Sequence, residues 1–128
     1  MSKLRSVLGL IAGVILVLSS GAHTFLGWQA LGAELARTNA PAELVTGLEI
    51  GWKWGGAAML AFGIAVITTF LKRYRGEPAS TFVPAVISVA YIAFGAWALL
   101  HSNYDPFFFI FIVPGVLLAL ASSGARQP

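Results

Sequence analysis

Five side chains carry most of the chemistry this sequence can offer: His23, Glu49, Lys53, His101 and Asp105. A neutral imidazole donates or accepts a hydrogen bond, takes up a proton or ligates a metal, and carboxylates add proton acceptance and metal-ligand oxygens. Spacing decides how far that goes. No HxxxH, HExxH or Glu-x-x-His pair occurs, and His101 and Asp105, though four apart, straddle a helix end, so no metal site is assigned. Bis-histidine haem ligation would need the two lone histidines to face each other from different helices. No phosphate loop, dinucleotide fingerprint or nucleophile elbow is present, and no motif names a cofactor. Ser19 and Ser20 lie close to His23, but serines in membrane helices ordinarily bond backbone carbonyls or neighbouring helices.

Each of the five also has a structural role available. Glu49 and Lys53 are one helical turn apart, the spacing of an ion pair, with Trp52 and Trp54 as interfacial anchors around a snorkelling lysine. The sharper alternative points Glu49 inward to His23 or His101. His101 sits one turn from Trp97 and can stack on it, while Asp105 precedes Pro106 as an N-cap precedes a proline at the first helical position. His23 can make a single helix-to-helix hydrogen bond.

These residues are set in a chain of 128 residues that is 58% hydrophobic and 10% charged, against roughly 25% charged in an ordinary soluble domain. Mean hydropathy is +0.83. The segments Ser6 to Ala33, Trp54 to Leu71, Pro78 to Tyr104 and Pro106 to Ala125 contain no Asp, Glu, Lys or Arg. About 20 apolar residues cross a bilayer core, and the runs lack the alternation of membrane strands. The expectation is an all-α integral membrane protein, one membrane domain over 1–128, with four transmembrane helices at about 5–29, 47–71, 80–101 and 105–124 in an antiparallel up-down bundle.

Lys3, Arg5, Lys72, Arg73, Arg75 and Arg126, six of the eight basic residues, fall on one side of that arrangement. The positive-inside rule makes this side cytoplasmic, with both termini inside, in a bacterial-type cytoplasmic (inner) membrane. Trp28, Trp52, Trp54 and Trp97 then collect near the outer boundary, as an aromatic belt does. A cleavable secretory signal ending near Ala22 is the rival reading of the first segment, but the uncharged run continues past that point to Ala33. The net charge of +3 is spread over helix ends and loops without a basic, aromatic-interleaved stripe, so nucleic acid is not a predicted partner. The chain contains no cysteine, which excludes disulfides, thiolate chemistry and Cys-ligated metals.

Lipid tails are as apolar as leucine, so small residues mark helix contacts. Gly9, Gly13, Leu16, Ser20, His23 and Gly27 share one face of the first helix, and Ser88, Tyr91, Gly95, Ala98 and Ser102 one face of the third. The second carries Gly51, Gly55, Ala57, Ala61 and Ala65. Pro114 and Gly115 are predicted to kink the fourth helix, and Phe107 to Phe109 with Phe111 read as lipid- or partner-facing surface. His23 lies about 27 Å along its helix from Arg5, near the outer edge of a roughly 30 Å core. Glu49, Lys53, His101 and Asp105 are expected at the same level.

The bilayer is the one partner the sequence assigns. Small size, short loops and small-residue faces favour a non-catalytic subunit, stabiliser or self-associating scaffold, alone as a homo-oligomer or with another membrane protein. The outer polar layer supports an alternative, a binding or transport unit for a small amphipathic molecule, an ion or a proton. A further alternative is an enzyme acting on a lipid-soluble substrate.

Overall fold

The computed structural model describes residues 2–124, which are helical apart from short turns. Arg126, counted above among the basic residues of one side, lies outside the described residues. Helix α1 (Lys3–Gly21) begins at Ser2, whose hydroxyl accepts from the Arg5 amide. It passes through a π-helical turn (Ala22–Gly27) directly into α2 (Trp28–Arg37), so Lys3–Arg37 is one unbroken helical rod. Helix α3 (Ala42–Tyr74) returns alongside it, α4 (Phe82–His101) runs outward again, and a 3-10 turn (Pro106–Phe108) leads into α5 (Phe109–Ser122). Three helices, Lys3–Arg37, Ala42–Tyr74 and Phe82–His101, are long and apolar enough to cross a membrane; the apolar helix Pro106–Ser122 is shorter.

The first two helices differ from their expected bounds. A loop between about 30 and 46 was the sequence expectation, but helix continues to Arg37 and resumes at Ala42. The residues concerned, rich in Ala, Leu and Glu, are good helix formers. Arg37 binds Glu34 one turn earlier at 2.5 Å, and the Thr38 hydroxyl donates back to the Glu34 and Leu35 carbonyls. Chain reversal is confined to Thr38–Pro41, where Asn39 takes a left-handed φ of 51° and Pro41 caps α3. Glu49 and Lys53 consequently lie two to three turns inside α3 instead of opening it. The other bounds shift less, the third helix starting at Phe82 and the fourth opening with a 3-10 turn and ending at Ser122.

Packing follows the small residues. Helix α1 lies chiefly against α3 and secondarily against α5, while α4 pairs with α5. Ala12, Leu16, Val66, Phe70 and Leu118 are fully buried where these helices meet, with Ile87, Tyr91 and Ala121 completing the core. At Gly63 the backbones come closest: a Cβ there would stand 3.0 Å from the Val17 nitrogen and 3.2 Å from the Gly13 carbonyl oxygen. Between α4 and α5 the Ser88 hydroxyl donates to the Gly115 carbonyl at 2.7 Å. Pro114 is buried beside it, and α5 continues through the proline without ending.

The rod Lys3–Arg37 is about 52 Å long and α4 about 30 Å. The α1–α3 hairpin thus stands roughly 20 Å taller than the α4–α5 hairpin at the end distant from the N-terminus. Replacing Gly63 by Ala pushes a methyl group into backbone and is expected to cost about 1–3 kcal/mol in reversible unfolding in mixed micelles. Gly51→Ala, where the added Cβ would meet nothing within 4 Å, is expected to leave stability unchanged or raised by up to about 1 kcal/mol. Equal losses at both positions would contradict this account of the interface.

Candidate functional site

The most elaborate polar contact in the molecule joins His23 to Trp52. His23 lies in the π turn, where the wider coil takes backbone groups out of the regular α-helical register. Its Nε2 donates to the Trp52 carbonyl at 3.0 Å, and the indole Nε1 of Trp52 donates to the His23 carbonyl at 2.6 Å. The two rings stack between these bonds, centroids 4.4 Å apart and planes within 5°. Each residue therefore contributes its ring to the other's backbone. Neighbouring glycines leave the room: a Cβ on Gly55 would lie 3.2 Å from His23 Nε2, and one on Gly56 would collide with the Thr24 hydroxyl at 1.9 Å.

This geometry fixes the imidazole. A carbonyl oxygen only accepts, so the hydrogen is on Nε2, and in the neutral ring Nδ1 keeps a free lone pair. No side chain among the described residues donates to it. Ser19 precedes His23 by one turn; Ser20 is turned away, buried, with its hydroxyl committed to the Val17 carbonyl at 2.7 Å.

Beside the clamp is a cavity of about 820 Å³. One wall runs from Ser19 through His23 to Leu31 on the α1–α2 rod, about 18 Å of helix, with Trp52 and Met59 of α3 beside it. Tyr91 and Phe94 of α4 and Phe107, Phe108, Ile110 and Phe111 at the start of the last helix form the other wall. The lining is overwhelmingly apolar. The Tyr91 hydroxyl is buried and has no partner among the described residues. Ile110 stands four residues before Pro114, whose missing N–H deprives the Ile110 carbonyl of its ordinary helical donor. The space is a groove open on one side, where Leu26, Phe94, Phe107 and Ile110 are exposed, and its volume is within the range of small-molecule sites, roughly 300–1,000 Å³.

The other sequence-nominated residues stand apart from this chamber. Glu49 binds Lys53 at 2.5 Å on a partly exposed face of α3, not either histidine. His101 is exposed and stacked on Trp97, centroids 5.0 Å apart. Asp105 caps the last helical segment, its carboxylate accepting from the Phe107 amide at 2.9 Å. Pro114 and Gly115 belong to the α4–α5 contact. Among the described residues no three His, Asp or Glu side chains gather closely enough to hold a metal ion. The residues expected at one level thus lie in four separate local arrangements, and of them only His23 lines the cavity.

Sequence reasoning missed Trp52 as the partner of His23, reading it as a membrane-interface anchor. Gly55 and Gly56, three and four residues on, were the available signal, because they open space on that side of α3. It read Phe107 to Phe109 and Phe111 as lipid- or partner-facing surface; Phe107 and Phe109 are exposed, while Phe107, Phe108 and Phe111 also line the cavity. Asp105→Ala is expected to cost about 0.5–2 kcal/mol through loss of the cap, with Asp105→Asn retaining most of it, as read by reversible unfolding. Equal stability of the Ala variant and the parent would remove the capping role. No protein-family model, no curated protein and no solved structure matches this chain, so the reading of the cavity rests on its geometry.

Proposed function

We propose that this chain is a four-span membrane protein that binds a small lipid-soluble or amphipathic molecule in the cavity between its two hairpins. One observation carries the reading: an apolar chamber of about 820 Å³ is built between helices that pack closely elsewhere, with His23 as an oriented polar group on its wall. Helix 106–122 is about 25 Å long, slightly short of an average hydrocarbon core, and crosses it with modest local thinning. The termini are on the cytoplasmic side of a bacterial-type inner membrane, supported by Lys3, Arg5, Lys72, Arg73 and Arg75 at one end of the bundle. The cavity then opens in the outer half of the bilayer.

A second reading, a subunit or self-associating scaffold, is favoured by α3 itself. Gly47 and Gly51 form a small-residue pair one turn apart, and a Cβ added at either would meet no other part of the described chain within 4 Å. In that reading the face meets a second copy or another membrane protein.

Both aspects are open to measurement in a chain that has no cysteine of its own. Cysteines introduced singly at Asn39 and Asn103 are expected to react with an impermeant maleimide on intact cells, and one at Gly76 only after permeabilisation. The reverse pattern would overturn the orientation. Native mass spectrometry of the full chain released from nanodiscs is expected to retain a stoichiometric small-molecule adduct on a monomer; a bare homodimer would favour the scaffold instead.

A further inference from the structure

The polar atoms left open along the cavity select what it holds. We propose that its ligand is a membrane-dissolved alcohol, a single apolar chain or ring system bearing one hydroxyl, whose hydroxyl lies between Ser19 and His23. This inference rests on the binding reading above and narrows it to a ligand class.

Three observations lead there. First, the clamp with Trp52 consumes His23 Nε2 as donor and presents Nδ1 as an acceptor. A ligand meeting it must donate a hydrogen. Second, Ser19, one turn before His23, also lines the cavity, and its hydroxyl has no partner among the described residues and can both donate and accept. A hydroxyl is the smallest neutral group that satisfies both neighbours, donating to Nδ1 and accepting from Ser19. An ether or ketone offers no donor, and a carboxylate or ammonium would enter an apolar chamber with no counter-charge on its walls, at a cost of several kcal/mol. Third, apart from the buried Tyr91 hydroxyl at the lower end, the remaining wall is hydrocarbon and aromatic, with Met59, Phe94 and Phe111 around the lower part and Leu26, Ala30, Leu31 and Phe107 around the upper. An apolar body about as long as the 18 Å wall is accommodated along it. With the orientation proposed above, the source is the outer leaflet.

The test uses the full chain in detergent micelles, titrated with myristyl alcohol, its methyl ether and the corresponding alkane, with bound ligand counted by native mass spectrometry. The alcohol is expected to bind at least about threefold more tightly than the ether or the alkane, the advantage of one net hydrogen bond. Ser19→Ala is expected to weaken the alcohol and the ether alike, since both accept from Ser19, and to leave the alcohol's advantage over the ether in place. Since Ser19 makes no bond that holds the helices together, this variant keeps its fold. His23→Phe preserves a ring over Trp52 and removes the acceptor, so it is the variant expected to abolish the alcohol's advantage over the ether. Equal binding of all three probes, or an advantage over the ether that survives His23→Phe, overturns the alcohol assignment while the apolar cavity stands. Failure of all three to bind overturns the cavity reading as well.

Discussion

Everything in this fold depends on how closely α1 and α3 approach each other. Hydrocarbon solvent supplies no net hydrophobic drive for helix association, so the two must be held by backbone proximity and by polar exchange. Gly13 and Gly63 provide the first over the lower part of the contact, where the chains come close enough for side-chain carbon to be excluded. His23 and Trp52 provide the second at the upper part, through two interhelical hydrogen bonds and a ring stack. Each such bond is worth about 1 kcal/mol net, but removing one partner would strand a polar group in a low-dielectric setting, which costs more. The clamp therefore fixes the level and rotation of α1 against α3 more firmly than its net energy implies.

The cavity is a consequence of that fixation. The α4–α5 hairpin follows α1 only over the lower part of the bundle, where Leu118 and Ala121 complete the core with Leu16 and Ala12. Above Tyr91 the opposing surfaces are bulky Phe94, Phe108 and Phe111 on one side and the π turn on the other. Because the rod is tied to α3 by the clamp, it does not move across to meet them. The same tie aims the imidazole: a histidine that makes one bond to a carbonyl has its tautomer set, and its second nitrogen is thereby assigned the role of acceptor.

Much of this was legible in the sequence, and the failures have identifiable physics. The charge-free runs and the small-residue stripe Gly9, Gly13, Leu16 and Ser20 located the long apolar helices and the buried face of α1, because burial and helical period act locally. Asp105-Pro106 announced its cap for the same reason. The helical extension through Glu34 and Arg37 was missed because hydropathy marks only where lipid ends, not where helix ends. Pairing of His23 with Trp52 was not legible because it joins residues 29 apart through a backbone carbonyl, and no side-chain pattern encodes a carbonyl's direction. The π turn itself has no compositional signature, and without it the level of His23 against α3 cannot be set from residue counting. Glu49, His101 and Asp105 were expected at the level of His23, each with a local structural role available, and each has a partner within a turn or so of its own chain: Lys53, Trp97 and the Phe107 amide.

The most direct test of the central claim is a double-mutant cycle on the clamp, with His23→Ala, Trp52→Ala and the double variant unfolded reversibly in mixed micelles. The account predicts that the two substitutions are far from additive, the second costing at least about 1 kcal/mol less once the first has been made. Strict additivity would mean that His23 and Trp52 act independently, and that the alignment of α1 with α3, and with it the cavity, has some other origin.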